Sequence, residues 1–297
     1  ALMDVEPMGD EFVKGMCWDI EDPTFDATAT ATNPRAQVRP VHRPPRVPAD
    51  RHPHCAWTVT IVDDAEPLPT PPGAEALART GAGSLPLAEA PADLPTDDGW
   101  ADYAAPLDPD LVMERFSSAT LARICDEVAL QGHLLSHAYL TQVADLLPPA
   151  DAAEVARQQA AGVAGVVAKR LAAALGVGPD LAGLAAVLEV HPLLLPRAYV
   201  DASIEADGDV LTVVLGPCPA LDEPDGLGWP STLVGDGGEL VLEAIATCVA
   251  PTARVERIDG STWRIAVPDD AEPLPQPDTV TLTEFSTGAT FAFPRRA

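Results

Sequence analysis

Alternation of apolar and polar positions is clearest in "YVDASIEADGDVLTVVLG" (199–216), where two β-rich runs flank Asp207-Gly208 and predict a hairpin. Two further pairs of short alternating runs predict hairpins of the same kind: "AQVRPV" (36–41) with "AWTVTIV" (56–62), and "ARVERI" (253–258) with "TWRIAVP" (262–268). Helical spacing near 23–33 and 238–249 precedes each of these pairs, and Pro34 and Pro251 end both stretches because proline cannot continue the ladder. In the middle of the chain the period changes. Ser117 or Ser118 can cap a helix running to about 147, with apolar positions 121, 124, 128, 135 and 139 on one face, closed by Pro148-Pro149. Asp151 with Glu154 reads as a capping box for a second helix ending near Gly176, and a shorter helix occupies 179–190 before His191-Pro192.

The pattern also repeats. "WTVTIVDDAEPLP" (57–69) returns as "WRIAVPDDAEPLP" (263–275), with eight of thirteen positions identical. Outward from it, "ATNPRAQVR" (31–39) answers "CVAPTARVE" (248–256), and "GMCWDIEDP" (15–23) answers "GPCPALDEP" (216–224), which makes Cys17 and Cys218 equivalent. "VEPMGD" (5–10) matches "IEADGD" (204–209), and "TGAG" (80–83) matches "TGAT" (287–290). The expected architecture is therefore α+β: two ββαββ units related by a pseudo-twofold axis, with a small helical bundle inserted between them. The first unit takes residues 1–83, a Pro- and Ala-rich extended linker 84–110, the helical insertion 111–197 and the second unit 198–297.

Composition narrows the partners. The 297 residues carry a net charge of −27, a field that repels nucleic acid and anionic membrane. No apolar run reaches the roughly 18 residues of a membrane span and nothing at the start resembles a signal peptide, so a soluble cytoplasmic protein is expected. Five unpaired-looking cysteines read as reduced thiols. Against this acidic background, residues 35–55 hold five arginines and a single acid, a local excess that would draw a small anionic ligand.

The two copies differ most in that basic stretch. Matching Val38 to Val255 needs an offset of 217 and Trp57 to Trp263 one of 206, so the first copy holds 11 extra residues where the second makes the "IDGS" turn (258–261). A loop of that length costs only about 1 kcal/mol in closure entropy, so its content matters more than its size. It carries His42, His52, His54 and Cys55 with Arg43, Arg46 and Arg51, on a backbone restricted by five prolines. His52, His54 and Cys55 are donors suited to Zn, Fe or Cu, although their spacing matches no familiar zinc signature. The three arginines suit a carboxylate or phosphate. The same stretch also reads as a solvated proline-rich loop.

Cys17 is the candidate nucleophile, just before a helix whose dipole would favour the thiolate, with Asp19, Glu21 and Asp22 pushing the other way. It becomes plausible as a reactive thiol, with His42 as acid-base partner, where the basic loop closes over it. As a packing residue it would instead be buried like Cys218. The Gly-rich insertion around "DGLGWPSTLVGDGGEL" (225–240) could line a ligand cleft with Trp229. On the bundle, Asp126, His133 and His137 share one helical stripe and form a secondary site, read either as metal ligands or as hydrogen-bonded or surface histidines. The expected function is an enzyme, hydrolase- or lyase-like and metal- or thiol-dependent, acting on a small anionic substrate between the duplicated units. The alternative is a noncatalytic ligand-binding or scaffold protein with structural cysteines, and a homo-oligomer is compatible with either.

Overall fold

The computed structural model describes residues 6–70, 72–102 and 111–286, and mixes helix and strand with two small antiparallel sheets. The chain divides into two compact units, Ala1–Glu75 with Phe285–Ala297, and Ala76–Glu284.

In the first unit a helical run replaces the hairpin and bend expected before residue 23. A short helix Asp10–Lys14 passes through a wide π turn, Gly15–Ile20, into α1 (Glu21–Thr32). Val13 and Cys17, four residues apart, are the residues this run buries, a helical spacing rather than a strand one. The wide turn just ahead of it also suits Pro23, which has no N–H to give the ladder. Asn33, extended ahead of Pro34, ends α1, and the chain enters β1 (Ala36–His42) and then β2 (Ala56–Ile61). These pair antiparallel, Val38 opposite Val59, with an irregularity between Pro40 and His42. The first copy thus contains one hairpin, and the four-stranded expectation does not hold among its described residues.

The second unit is built on α2 (Ser118–Leu146), α3 (Pro149–Leu175) and α4 (Leu181–Glu189), followed by β3 (Ala202–Asp207), β4 (Val210–Leu215), α5 (Glu239–Val249), β5 (Arg254–Arg257), β6 (Thr262–Ala266) and α6 (Asp278–Ser286). Its sheet runs β3-β4-β6-β5, all neighbours antiparallel. The β3–β4 loop is Gly208-Asp209, one residue beyond the expected pair, with Gly208 at φ 59. Alternate residues Leu211, Val213 and Leu215 of β4 and Trp263 and Ile265 of β6 are buried in one core with Leu184 and Leu188 of α4 and Val241, Leu242 and Ile245 of α5. Small residues along α3 admit its neighbours closely. A Cβ on Gly165 would stand 2.5 Å from Val280 Cγ2 of α6, which is why glycine is needed there.

Helix boundaries follow the sequence signals with one exception. Ser117 caps α2 by accepting from Thr120 N–H, Asp180 caps α4, and Gly176 closes α3 at φ 67. The Asp151–Glu154 box does not form, because α3 starts earlier with Pro149 in its first turn and Glu154 bonds Arg157 and Gln158 instead. The expected apolar face of α2 is also rotated. Val128 and Leu135 are 58% and 73% exposed, while Ala129, His133, Ser136, His137 and Leu140 face inward. In the linker, Trp100 and Phe116 form an isolated parallel bridge and Asp98 accepts from Ser118, so its described part is tethered though irregular. Residues 103–110, and the "TGAT" match at 287–290, lie outside the described residues.

The repeated "DDAEPLP" runs leave their strands as turns and are closed alike. Leu68 N–H donates to Pro34 O at 2.9 Å, and Leu274 N–H donates to Pro251 O at 2.8 Å. Asn33 O accepts from Ala36 N–H, as Ala250 O does from Ala253 N–H.

Candidate functional site

The basic loop does fold onto the helical run that carries Cys17. Trp18 Nε1–H donates to Pro44 O at 2.8 Å, and the Arg43 guanidinium lies 4.4 Å from the Trp18 ring centre and 5.8 Å from that of Trp57. Each paired arginine is held by a carboxylate of that run or of the turn just ahead of it. Arg43 pairs with Asp22, and Arg46 grips Glu6 through two bonds of 2.7 and 2.9 Å while also donating to Arg51 O. Arg39 pairs with Asp26. The Arg46 bonds hold the Glu6 carboxyl below its usual range. Among the described residues no ion pair engages Arg51, which is exposed.

His42 Nε2–H donates to Pro53 O at 2.9 Å, closing the loop on itself, and its buried Nδ1 meets no partner among the described residues. The His52 and His54 rings meet edge to face at 4.8 Å, and Cys55 is exposed. No group of three or more His, Cys, Asp or Glu side chains among the described residues is placed to hold a metal. The three expected donors therefore do not form a cluster that would grip Zn, Fe or Cu.

Cys17 is not at a helix N-terminus. It sits inside the π turn, buried, where the dipole of a free helix end does not reach it. Burial first, and then the charges of Glu21, Cys55 and Glu6, push its thiol up to about 11, with Arg43 opposing. Glu21 is itself raised by burial and by Asp22. Cys218 is likewise buried, in the turn after β4.

In the second unit the Gly-rich insertion does line a cleft of about 610 Å³, where Gly226, Leu227 and Thr232 face Leu140 of α2 and Ala153 and Arg157 of α3. Trp229 does not line it. Its ring is buried 5.8 Å from that of His133. The stripe Asp126, His133, His137 is split among separate tasks. His133 Nε2–H donates to Leu195 O at 2.8 Å, His137 Nε2 bonds Asp225 Oδ2 at 2.8 Å, and Asp126 borders a different hollow beside Arg197. Burial pushes His133 down to about 4, and does the same to His191, whose Nε2–H donates to Ala164 O.

One buried polar centre escaped the sequence reading. Glu223 accepts from the backbone N–H of Gly81 and Ala82 and from the Tyr199 hydroxyl at 2.7 Å. Burial first, then Glu223, pushes the Tyr199 phenol far up. Its partners lie 24 and more than 140 residues away, beyond the reach of any local motif.

No protein-family model, no curated protein and no solved structure matches the chain. No helix among the described residues is long and apolar enough to cross a membrane.

Proposed function

We propose that this chain is a noncatalytic binding protein whose two helix–hairpin elements arose by duplication, and whose basic loop is a structural clasp. One observation carries the reading: Arg43 and Arg46 are closed on the chain's own Asp22 and Glu6, and Cys17, whose thiol feels the Arg43 charge, is buried. An anionic substrate would have to displace those carboxylates before meeting either arginine. A thiol pushed up to about 11 by burial and by Glu21 disfavours the thiolate that a nucleophile needs at pH 7. The matched Leu68–Pro34 and Leu274–Pro251 bonds support common descent of the two elements.

The enzyme reading differs in what it requires of Cys17 and of His52, His54 and Cys55. Alkylation of the folded chain, read by peptide mass spectrometry, separates the two. Cys55 and Cys125, both exposed, label first, and Cys17 labels much more slowly until the chain is unfolded. Labelling of Cys17 as fast as Cys55 overturns the proposal. So does one equivalent of Zn, Fe or Cu that is lost in the His52→Ala, His54→Ala double variant.

A further inference from the structure

The two sheets present four edge strands, β1 and β2 in one, β3 and β5 in the other. An open edge is a template for another strand unless charge, proline or a covering element blunts it. β1 carries Arg39 and Pro40, and its Val38 N–H is taken by Asp26 Oδ1 at 2.9 Å. β3 carries Glu205 and Asp207, and β5 carries Arg254, Glu256 and Arg257. β2 reads "AWTVTI" and has no charge and no proline, in a chain of net charge −27.

We infer that β2 pairs antiparallel with β2 of a second copy of this chain, across a twofold axis at Val59. The inference rests on reading the protein as a binding protein, and names its partner.

Backbone direction agrees with this. Val38 spends its N–H on Asp26 and Pro40 has none, so Val38 opposite Val59 and Pro40 opposite Trp57 are the unbonded pairs of the β1–β2 ladder. Alternation then turns the N–H and C=O groups of Trp57, Val59 and Ile61 to the open side. An axis at Val59 places Val59 opposite its own copy, Trp57 opposite Ile61, and Thr58 opposite Thr60. Aromatic with β-branched and threonine with threonine are favourable cross-strand pairs.

The ends agree as well. Exposed Arg51 and His52 precede β2, and exposed Asp63, Asp64 and Glu66 follow it. Antiparallel pairing brings the basic end of one copy beside the acidic end of the other. Val59 and Ile61, 64% and 53% exposed, line an apolar groove of about 530 Å³ with Phe25, Ala29, Val38 and Trp57. In the second unit the matching β6 residues Trp263 and Ile265 are fully buried, and there β4 runs alongside β6. A second β2 would occupy the place that β4 holds, giving a four-stranded β1-β2-β2-β1 sheet.

One paired edge makes a small contact, of the transient class below about 1,200 Å², so association is expected to be weak and to depend on concentration. Sedimentation velocity on the full chain tests it. The wild type shifts with concentration from the 31.0 kDa species to one of twice that mass. Val59→Lys and Val59→Glu each remain monomeric because like charges meet at the axis, and an equimolar mixture of the two regains the dimer. Circular dichroism shows whether both variants are folded. Hydrogen exchange on the wild type gives an answer independent of them, with the 57–61 amides gaining protection only at high concentration.

A wild type that stays at 31.0 kDa throughout overturns the inference. So does a dimer untouched by either folded variant, a folded pair that fails to recombine, or dimerisation without protection of 57–61. Metal content and Cys17 labelling, measured on the same samples, decide the binding-protein reading separately.

Discussion

Acidification from pH 7 to pH 4 is expected to weaken the second unit through two buried imidazoles. His133 and His191 are each held neutral by burial, pushed down to about 4 from an ordinary 6.5. In the unfolded chain both return to about 6.5. Their folded values lie below their unfolded ones, so between 6.5 and 4 the unfolded state binds protons that the folded state refuses, and stability falls as pH falls. Above 6.5 both are neutral in both states and contribute no slope. Each histidine accounts for about 3 kcal/mol across the window, and the pair for about 4 kcal/mol by pH 5, a large share of a typical 5–15 kcal/mol. Asp126 and Glu243, raised by burial, temper the loss because their folded forms take up protons more readily than the unfolded chain does. Asp225, held low by its bond to His137, adds to it only below its ordinary range. Thermal unfolding followed by circular dichroism should show the melting temperature falling by roughly 10 °C between pH 7 and pH 5. A His133→Gln, His191→Gln double variant starts lower and is flatter over the same interval. A wild-type midpoint that holds within about 2 °C, or an equally steep fall in the double variant, refutes the argument.

Two glycines give opposite outcomes for one chemical change. Gly165→Ala puts a methyl 2.5 Å from Val280 Cγ2 and is expected to cost about 1–3 kcal/mol in urea unfolding. Gly132→Ala, in α2 with nothing within 4 Å, should gain up to about 1 kcal/mol. Arg46→Ala releases Glu6 and the Arg51 carbonyl together, so the loop opens more often and Cys17 alkylates about fivefold faster or more. An unchanged Cys17 labelling rate would mean that the clasp does not guard it.

The strands β1 to β6 were legible from alternation, and α1 and α5 from the prolines behind them, because those signals are local. The helical run before α1 was not. The resemblance of "VEPMGD" to "IEADGD" suggested a hairpin, whereas the four-residue spacing of Val13 and Cys17 sets a helix. The buried face of α2 was misread for a different reason. His133 and His137 look like surface residues until their partners are known, and those partners, Leu195 O and Asp225, lie 62 and 88 residues away. For the loop arginines the sequence shows a local excess of positive charge but not its partner, because Glu6, which pairs with Arg46, lies 40 residues before it.

Glu223 also fixes where the chain can be cut. Its carboxylate is shared by Tyr199 and by the backbone of Gly81 and Ala82, so the opening turn of the second unit is stitched to the turn after β4. A dissection at residue 84 would strand a buried carboxyl with two of its three donors gone. A fragment beginning at Ala76 keeps that knot, and is the shorter piece to carry forward for crystallisation or labelling.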